Sequence, residues 1–221
     1  MTIICFDLDD TLYKEIDFLK SAYREIAIHA AQGDRKLAET AYGEMLQAYE
    51  DGGNAFLRLN ELLGADTPVG EYLAIYRAHR PNIHLDGKTV ETLDALKAAG
   101  CTLGLITDGR SVQQHNKIVA LRLNRWIAEE DIIISEEVGS EKPSEANYRC
   151  VMERHPDAER FIYVGDNPIK DFVAPNRLGW ETMCLLDNGE NIHPQDFSKI
   201  EEQYLPLYKV KSLKEVEKHV F

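Results

Sequence analysis

The residues with the clearest chemical capacity are Asp7 and Asp9, two carboxylates that end the apolar run Ile3-Ile4-Cys5-Phe6. Successive strand side chains alternate faces, so a buried strand closing on Asp-Leu-Asp turns both acids to one side and Leu8 to the other. One acid could then serve as a nucleophile and the other as a proton-transfer partner. Asp-rich strings also make ordinary turns, so the reading depends on the company these acids keep. Three further segments supply it. Leu105-Ile106-Thr107-Asp108-Gly109 sets a hydroxyl and free backbone N–H groups directly after an apolar run, an arrangement able to grip a phosphoryl oxygen. Gly139-Ser140-Glu141-Lys142-Pro143 puts a lysine on a loop just before an expected helix N-terminus. Val164-Gly165-Asp166-Asn167-Pro168-Ile169-Lys170-Asp171 ends a strand with carboxylates at Asp166 and Asp171, hard oxygen donors of the kind that suit Mg²⁺. A turn or a solvated surface would explain each segment singly. It does not explain four of them, in order, at successive strand ends.

Those strand ends follow from the apolar pattern. Short runs rich in β-branched residues at 102–106, 132–134, 161–164 and 182–186 read as strands covered on both faces. Helical patterns at 88–99, 112–123 and 143–154 separate them, the last with Pro143 at a first-turn position. Strand and helix therefore alternate, which predicts an α/β fold with a doubly wound parallel sheet. A strand near 207–210 and a helix at 213–219 close one edge. Residues 15–81 break the pattern: apolar positions such as Leu19, Tyr23, Ile26 and Ala30 recur at helical spacing, and turn residues cut the stretch into about four helices. The expected organisation is an α/β core of residues 1–14 and 82–221 with an all-helical insert at 15–81. Its two hinges lie at 13–15 and 80–84, and Tyr42, Met45 and Tyr49 would serve the insert's own core.

Composition narrows the classes. At 221 residues, 44% hydrophobic and 29% charged, the chain suits one globular unit with an insertion. No apolar run nears the roughly 20 residues of a membrane span. The first run lacks a basic leader, which makes cytoplasmic residence the expectation. A net charge of −13 with no basic stripe argues against nucleic acid or an anionic membrane as partner. An anionic small substrate remains open, given a local cation. Cys5, Cys101, Cys150 and Cys184 lack paired spacing and read as reduced thiols, and the seven histidines lack metal-ligand spacing.

The four segments together resemble the haloacid dehalogenase superfamily of aspartate-nucleophile hydrolases: Asp-x-Asp-x-Thr at Asp7 to Thr11, Thr107 after the second strand, Lys142, and Gly-Asp-x(4)-Asp at Gly165 to Asp171. The helical insert matches the position of that family's C1 cap. The resemblance implies Asp7 as nucleophile, Asp9 as general acid and base, and Thr107 and Lys142 as holders of phosphoryl charge. It implies Mg²⁺ on Asp7, the carbonyl of Asp9 and Asp166, with Asp171 in support or as a ligand. Asp108, Gly109, Arg110 and Tyr13 complete the candidate phosphate and substrate contacts. Asp9 points to phosphate esters, since the family's dehalogenase branch does not carry this acid. The expectation is a Mg²⁺-dependent phosphomonoester hydrolase of a small metabolite, a nucleoside monophosphate or sugar phosphate, acting as a monomer or homodimer. A sugar-phosphate mutase and a non-catalytic phosphometabolite-binding regulator are the alternatives. Specificity would reside in the cap and its hinges, with Tyr13, Lys14, Glu15, the Gly52-Gly53-Asn54 loop, Arg58 and Arg110 as candidates. Asp10 has no assigned role.

Overall fold

The computed structural model describes residues 1–221. Six parallel strands, β1 (Thr2–Phe6), β2 (Thr102–Thr107), β3 (Ile127–Ile134), β4 (Arg160–Gly165), β5 (Glu181–Leu185) and β6 (Tyr208–Val210), form one sheet in the order β3-β2-β1-β4-β5-β6. Connections run outward from β1 in both directions, which makes the carboxyl end of β1 the switch point where open α/β sheets bind their ligands. Phe6 registers with Leu105 on one side and Val164 on the other, so Asp7 emerges between the ends of β2 and β4.

Alternation along β1 feeds two cores. Ile4 and Phe6 join Leu103, Leu105, Ile162 and Val164 on one face, packed by Leu93 of α5 (Gly87–Ala98), Ile118 of α6 (Ser111–Ala120) and Val216 of α10 (Lys214–Val220). Ile3 and Cys5 join Ile106, Ile133 and Tyr163 on the other, packed by Tyr148 of α8 (Ala146–Arg154) and Ala174 of α9 (Val173–Arg177). Between β1 and α5 stand four helices: α1 (Glu15–Ala30), α2 (Arg35–Glu50), α3 (Ala55–Leu63) and α4 (Val69–Ala78). They bury Leu19, Tyr23, Ile26, Met45, Leu59 and Tyr72 among themselves, with Tyr42 and Tyr49 against that cluster. Asp34 and Asn54 accept hydrogen bonds from the first turns of α2 and α3 and so fix where these helices begin. Phe18 and Ala22 of α1 pack instead into the sheet core, which seats the helical cap on the sheet. No helix is long and apolar enough to cross a membrane, and all four cysteines are free.

Three elements differ from the sequence reading. β3 begins at Ile127, five residues before the expected start, because it is an edge strand whose register shifts between Leu103 and Leu105 and whose Ala128, Glu129 and Glu130 face solvent. The helix expected at 112–123 stops at Ala120, since Arg122 takes φ 55° and starts a separate 3₁₀ turn at Leu123–Arg125. Pro143 does not open a helix: its peptide bond to Lys142 is cis, and α8 starts only at Ala146. The short helix α7 (Ser135–Val138) follows β3 directly.

Candidate active site

Asp7, Asp9, Thr107, Asp108, Asp166 and Lys170 line one cavity of about 120 Å³ at the carboxyl edge of the sheet, with Glu15 above them from the first turn of α1. Lys142 lies beneath. Its side chain is wholly buried, and its ammonium donates to Asp7 Oδ1 at 2.8 Å and to the Tyr163 hydroxyl at 3.0 Å while pairing with Asp171 Oδ1 at 2.8 Å. Burial alone would strip the proton from Lys142, but the charges of Asp171 and Asp7 hold it in place, well above the ordinary lysine range. Asp7 is raised to about 6, by burial first and against the pull of Lys142. Its second oxygen has no partner within the chain.

Asp9 is gripped from the side. Lys117 of α6 donates to both of its oxygens, at 2.7 and 2.8 Å, Gln114 donates at 3.2 Å, and the Tyr13 hydroxyl donates as well. Burial would raise its pKa, yet Lys117 and these hydrogen bonds outweigh it and hold the carboxyl below the usual range. Gln114 also donates to Thr107 Oγ1 at 2.6 Å, which leaves the threonine's own hydrogen available to an oxygen in the cavity. Lys117 and Gln114 are candidate site positions that the sequence reading did not assign. Their spacing of three on one helix face, one turn after Thr-Asp-Gly, was the available signal.

Asp171 organises the fourth segment. One oxygen takes Lys142, and the other accepts the backbone N–H groups of Asp166 at 3.1 Å and Asn167 at 2.8 Å. Gly165 is required for this: a Cβ there would stand 2.5 Å from Asp171 Oδ2. Oxygens of Asp7, Asp166 and Asp171 lie within 4.8 Å of one another. Since Asp171 is committed to Lys142 and the backbone, Asp166, with Asp7 beside it, is the carboxylate most open to a cation. Asp166 is raised to about 9, by burial and then by the charges of Asp7 and Asp171. Three buried carboxylates facing one lysine leave a deficit of positive charge, and this set of hard oxygens fits Mg²⁺.

The remaining candidates divide. Asp108 accepts the Lys142 N–H at 3.1 Å and faces Lys170 at 3.2 Å, so it orders the lysine loop. Gly109 does not offer its N–H to the cavity, because Ser135 Oγ takes it at 2.9 Å. Arg110 points out to solvent and pairs with Glu136 at 2.6 Å. Tyr13 is buried behind Asp9 and so supports the acid without facing substrate. Lys14 donates to Asn191 at 2.6 Å. Arg58 is exposed against Glu44, and it shares a separate groove with Gly53 and Asn54, away from the acids. Asp10, held at φ 55°, accepts the backbone N–H of Glu15 at 3.0 Å and of Ile192 at 2.9 Å. It thereby caps α1 and ties it to the loop after β5. That loop was silent in the sequence, yet Asn191 donates to Asp166 at 2.9 Å and His193 lines the cavity.

A family model described as haloacid dehalogenase-like hydrolase matches residues 1–179. The chain belongs to that family. Among its relatives, the glyceraldehyde 3-phosphate phosphatase of Methanocaldococcus jannaschii is 29% identical, over 96% of this chain and 94% of its own. The glyceraldehyde 3-phosphate phosphatase of Methanopyrus kandleri is 30% identical over 82% of each chain. In fold, the magnesium-bound crystal structure of the HAD-hydrolase YfnB of Bacillus subtilis superposes with a TM-score of 0.67 at 19% identity, covering 99% of this chain and 97% of that one. The chain is thus a phosphatase of the haloacid dehalogenase-like hydrolases, acting on a small phosphorylated metabolite.

Proposed function

We propose that this phosphatase is a Mg²⁺-dependent phosphomonoester hydrolase that works through an aspartyl-phosphate on Asp7 and takes a short sugar phosphate of the glyceraldehyde 3-phosphate kind. The observation that carries the reading is the state of the acid pair. Lys142 fixes one oxygen of Asp7 and leaves the other open, while Asp9 stands beside it on a separate set of donors. The open oxygen would attack phosphorus, forming the aspartyl O–P bond as the bond to the leaving oxygen breaks. That oxygen would depart as the alcohol with a proton from Asp9, which Lys117 holds ionised in the free enzyme and which would therefore first take up that proton from solvent as the anionic ester binds beside it. Asp9, now a carboxylate, would accept a proton from water as the water attacks the same phosphorus, releasing inorganic phosphate and restoring Asp7. The Thr107 hydroxyl would donate to a phosphoryl oxygen, and the Lys142 ammonium, whose three N–H groups go to Asp7, Asp171 and Tyr163, would act on the phosphoryl group through its charge alone.

Asp7, Asp166 and the backbone carbonyl of Asp9, with Asp171 in support, are the groups that would hold Mg²⁺, which supplies the positive charge that lets an anionic nucleophile meet an anionic ester. A cavity of about 120 Å³ supports a short leaving group over a nucleoside, and the sugar phosphate named for both relatives agrees with it. The test is phosphate release from glyceraldehyde 3-phosphate and from nucleoside monophosphates, with Mg²⁺ and with a chelator, in the wild type and in Asp7→Asn. Release from the triose phosphate that requires both Mg²⁺ and Asp7 supports the reading. Turnover that survives Asp7→Asn at wild-type rate removes the covalent mechanism.

A further inference from the structure

The cavity has an asymmetric wall, and the inference drawn from it rests on the phosphatase reading and narrows its substrate. The core supplies the residues that face phosphate. The cap supplies Glu15, and its carboxyl makes neither a hydrogen bond nor an ion pair within the chain, although it lines the cavity among Asp7, Asp9 and Asp10. Each neighbouring lysine is already engaged: Lys142 with Asp7 and Asp171, Lys117 with Asp9, Lys170 with Asp108, and Lys14 with Asn191. Glu15 is the cap's contribution to the cavity wall, and the end of the site remote from phosphate therefore offers a carboxyl acceptor with no uncommitted lysine; His193, from the loop after β5, is the remaining basic side chain on that wall.

We propose that Glu15 reads the hydroxyl groups of the leaving alcohol and makes the enzyme select phosphate esters of uncharged hydroxylated compounds over their carboxylate-bearing counterparts. A hydroxyl, or the gem-diol of a hydrated aldehyde, donates to Glu15. A substrate carboxylate in the same place meets another carboxyl without a cation between them, and two such groups cannot both ionise cheaply. Lys142 offsets the phosphate charge. No uncommitted lysine or arginine offsets a second negative group beneath the cap, and His193 is the one basic side chain left on the wall.

Specificity constants decide the matter, measured with Mg²⁺ for glyceraldehyde 3-phosphate and glycerol 3-phosphate against 3-phosphoglycerate and phosphoglycolate, in the wild type and in Glu15→Gln. The wild type should favour the uncharged pair by about 100-fold or more, and the variant should shrink that ratio by about tenfold or more. Equal kcat/KM for the two classes in the wild type overturns the proposal while leaving the phosphatase reading intact. So does a ratio unchanged by Glu15→Gln. No phosphate from any of the four overturns both. The wild-type comparison stands even where the variant folds poorly.

Discussion

Replacing Lys117 with methionine keeps the length and apolar stem of the side chain and removes the cation held against Asp9. The pair closes at 2.7 Å, with the lysine side chain 2% exposed and the aspartate 18%. Removing one partner of a buried pair costs about 3–5 kcal/mol, because the other charge is left stranded. Asp9 keeps Tyr13 and Gln114 and is partly wet, which places this case at the low end, about 3 kcal/mol. The pH dependence has a definite sign. In the wild type the folded pKa of Asp9 is depressed, so its contribution is present above the unfolded value of about 3.9 and is lost as pH falls through the folded one. In the variant, burial acts without Lys117 and the folded pKa rises above the unfolded value, so stability is lost as pH rises through it. The deficit against wild type is therefore already partly present near pH ~4 and reaches its full size by about pH 8. At about 1.4 kcal/mol per unit, 3 kcal/mol corresponds to roughly two units of separation between the proteins. Urea unfolding at the two pH values, with a chelator present, measures it. A deficit under about 0.5 kcal/mol at the higher pH, inside the noise of ordinary surface changes, would refute Lys117 as the group that keeps Asp9 ionised. The same shift favours the acid step and starves the second step of its base, so a burst of alcohol ahead of slow phosphate release is expected.

Other perturbations test other parts of the site. Asp166 is raised to about 9 and Asp7 to about 6, so the metal-free protein should lose stability as pH climbs from the ordinary carboxylate range through those values. Calorimetry should show Mg²⁺ restoring stability most at the alkaline end, with Asp166→Asn flattening both effects; a Mg²⁺ shift independent of pH would count against that charge deficit. Gly165→Ala drives a Cβ to within 2.5 Å of Asp171 Oδ2. It should cost about 1–3 kcal/mol of stability and far more activity, since Asp171 would release Lys142 and the Asp166 backbone; turnover near wild type would show that Asp171 can relocate. Arg110→Ala should leave kcat/KM within about twofold, as expected of a surface charge pair with no site contact; a tenfold loss would return the residue to the substrate site.

The parts of this protein that were legible in the sequence are those where local pattern and chemistry coincide. Ile3 to Phe6 is apolar on every residue because both faces of β1 are covered, and the abrupt change to Asp7 marks the sheet edge. Gly165 and Asp171 read as a unit because a missing Cβ and a carboxylate five residues on belong to one turn. What stayed hidden depends on contacts between distant segments. Lys117 looks like any surface lysine of an amphipathic helix until α6 packs beside Asp9, 108 positions away. Asn191 and His193 lie in a loop without periodicity, and only the fold brings that loop over Asp166 and Asp10. Arg110 misled for the converse reason. It directly follows Thr-Asp-Gly, but Glu136 at the start of α7 draws it outward.

The charge arrangement explains why so acidic a cavity survives in a chain of net charge −13. Each buried carboxylate is assigned a donor suited to its task. Asp7 and Asp171 share the ammonium of Lys142, which is also fixed by Tyr163. Asp9 has Lys117, and Asp10 has two backbone N–H groups that also anchor the cap. Asp166 is the exception. It receives the neutral amide of Asn191 at 2.9 Å and a distant hydroxyl from Thr11 at 3.5 Å, and no cation. Neutral donors do not balance a charge buried beside Asp7 and Asp171, and for that reason its proton affinity climbs further than that of Asp7 or Glu15. A lysine there would satisfy Asp166; the neutral donors leave it instead the least compensated carboxylate of the cavity, the position at which a bound cation would contribute most.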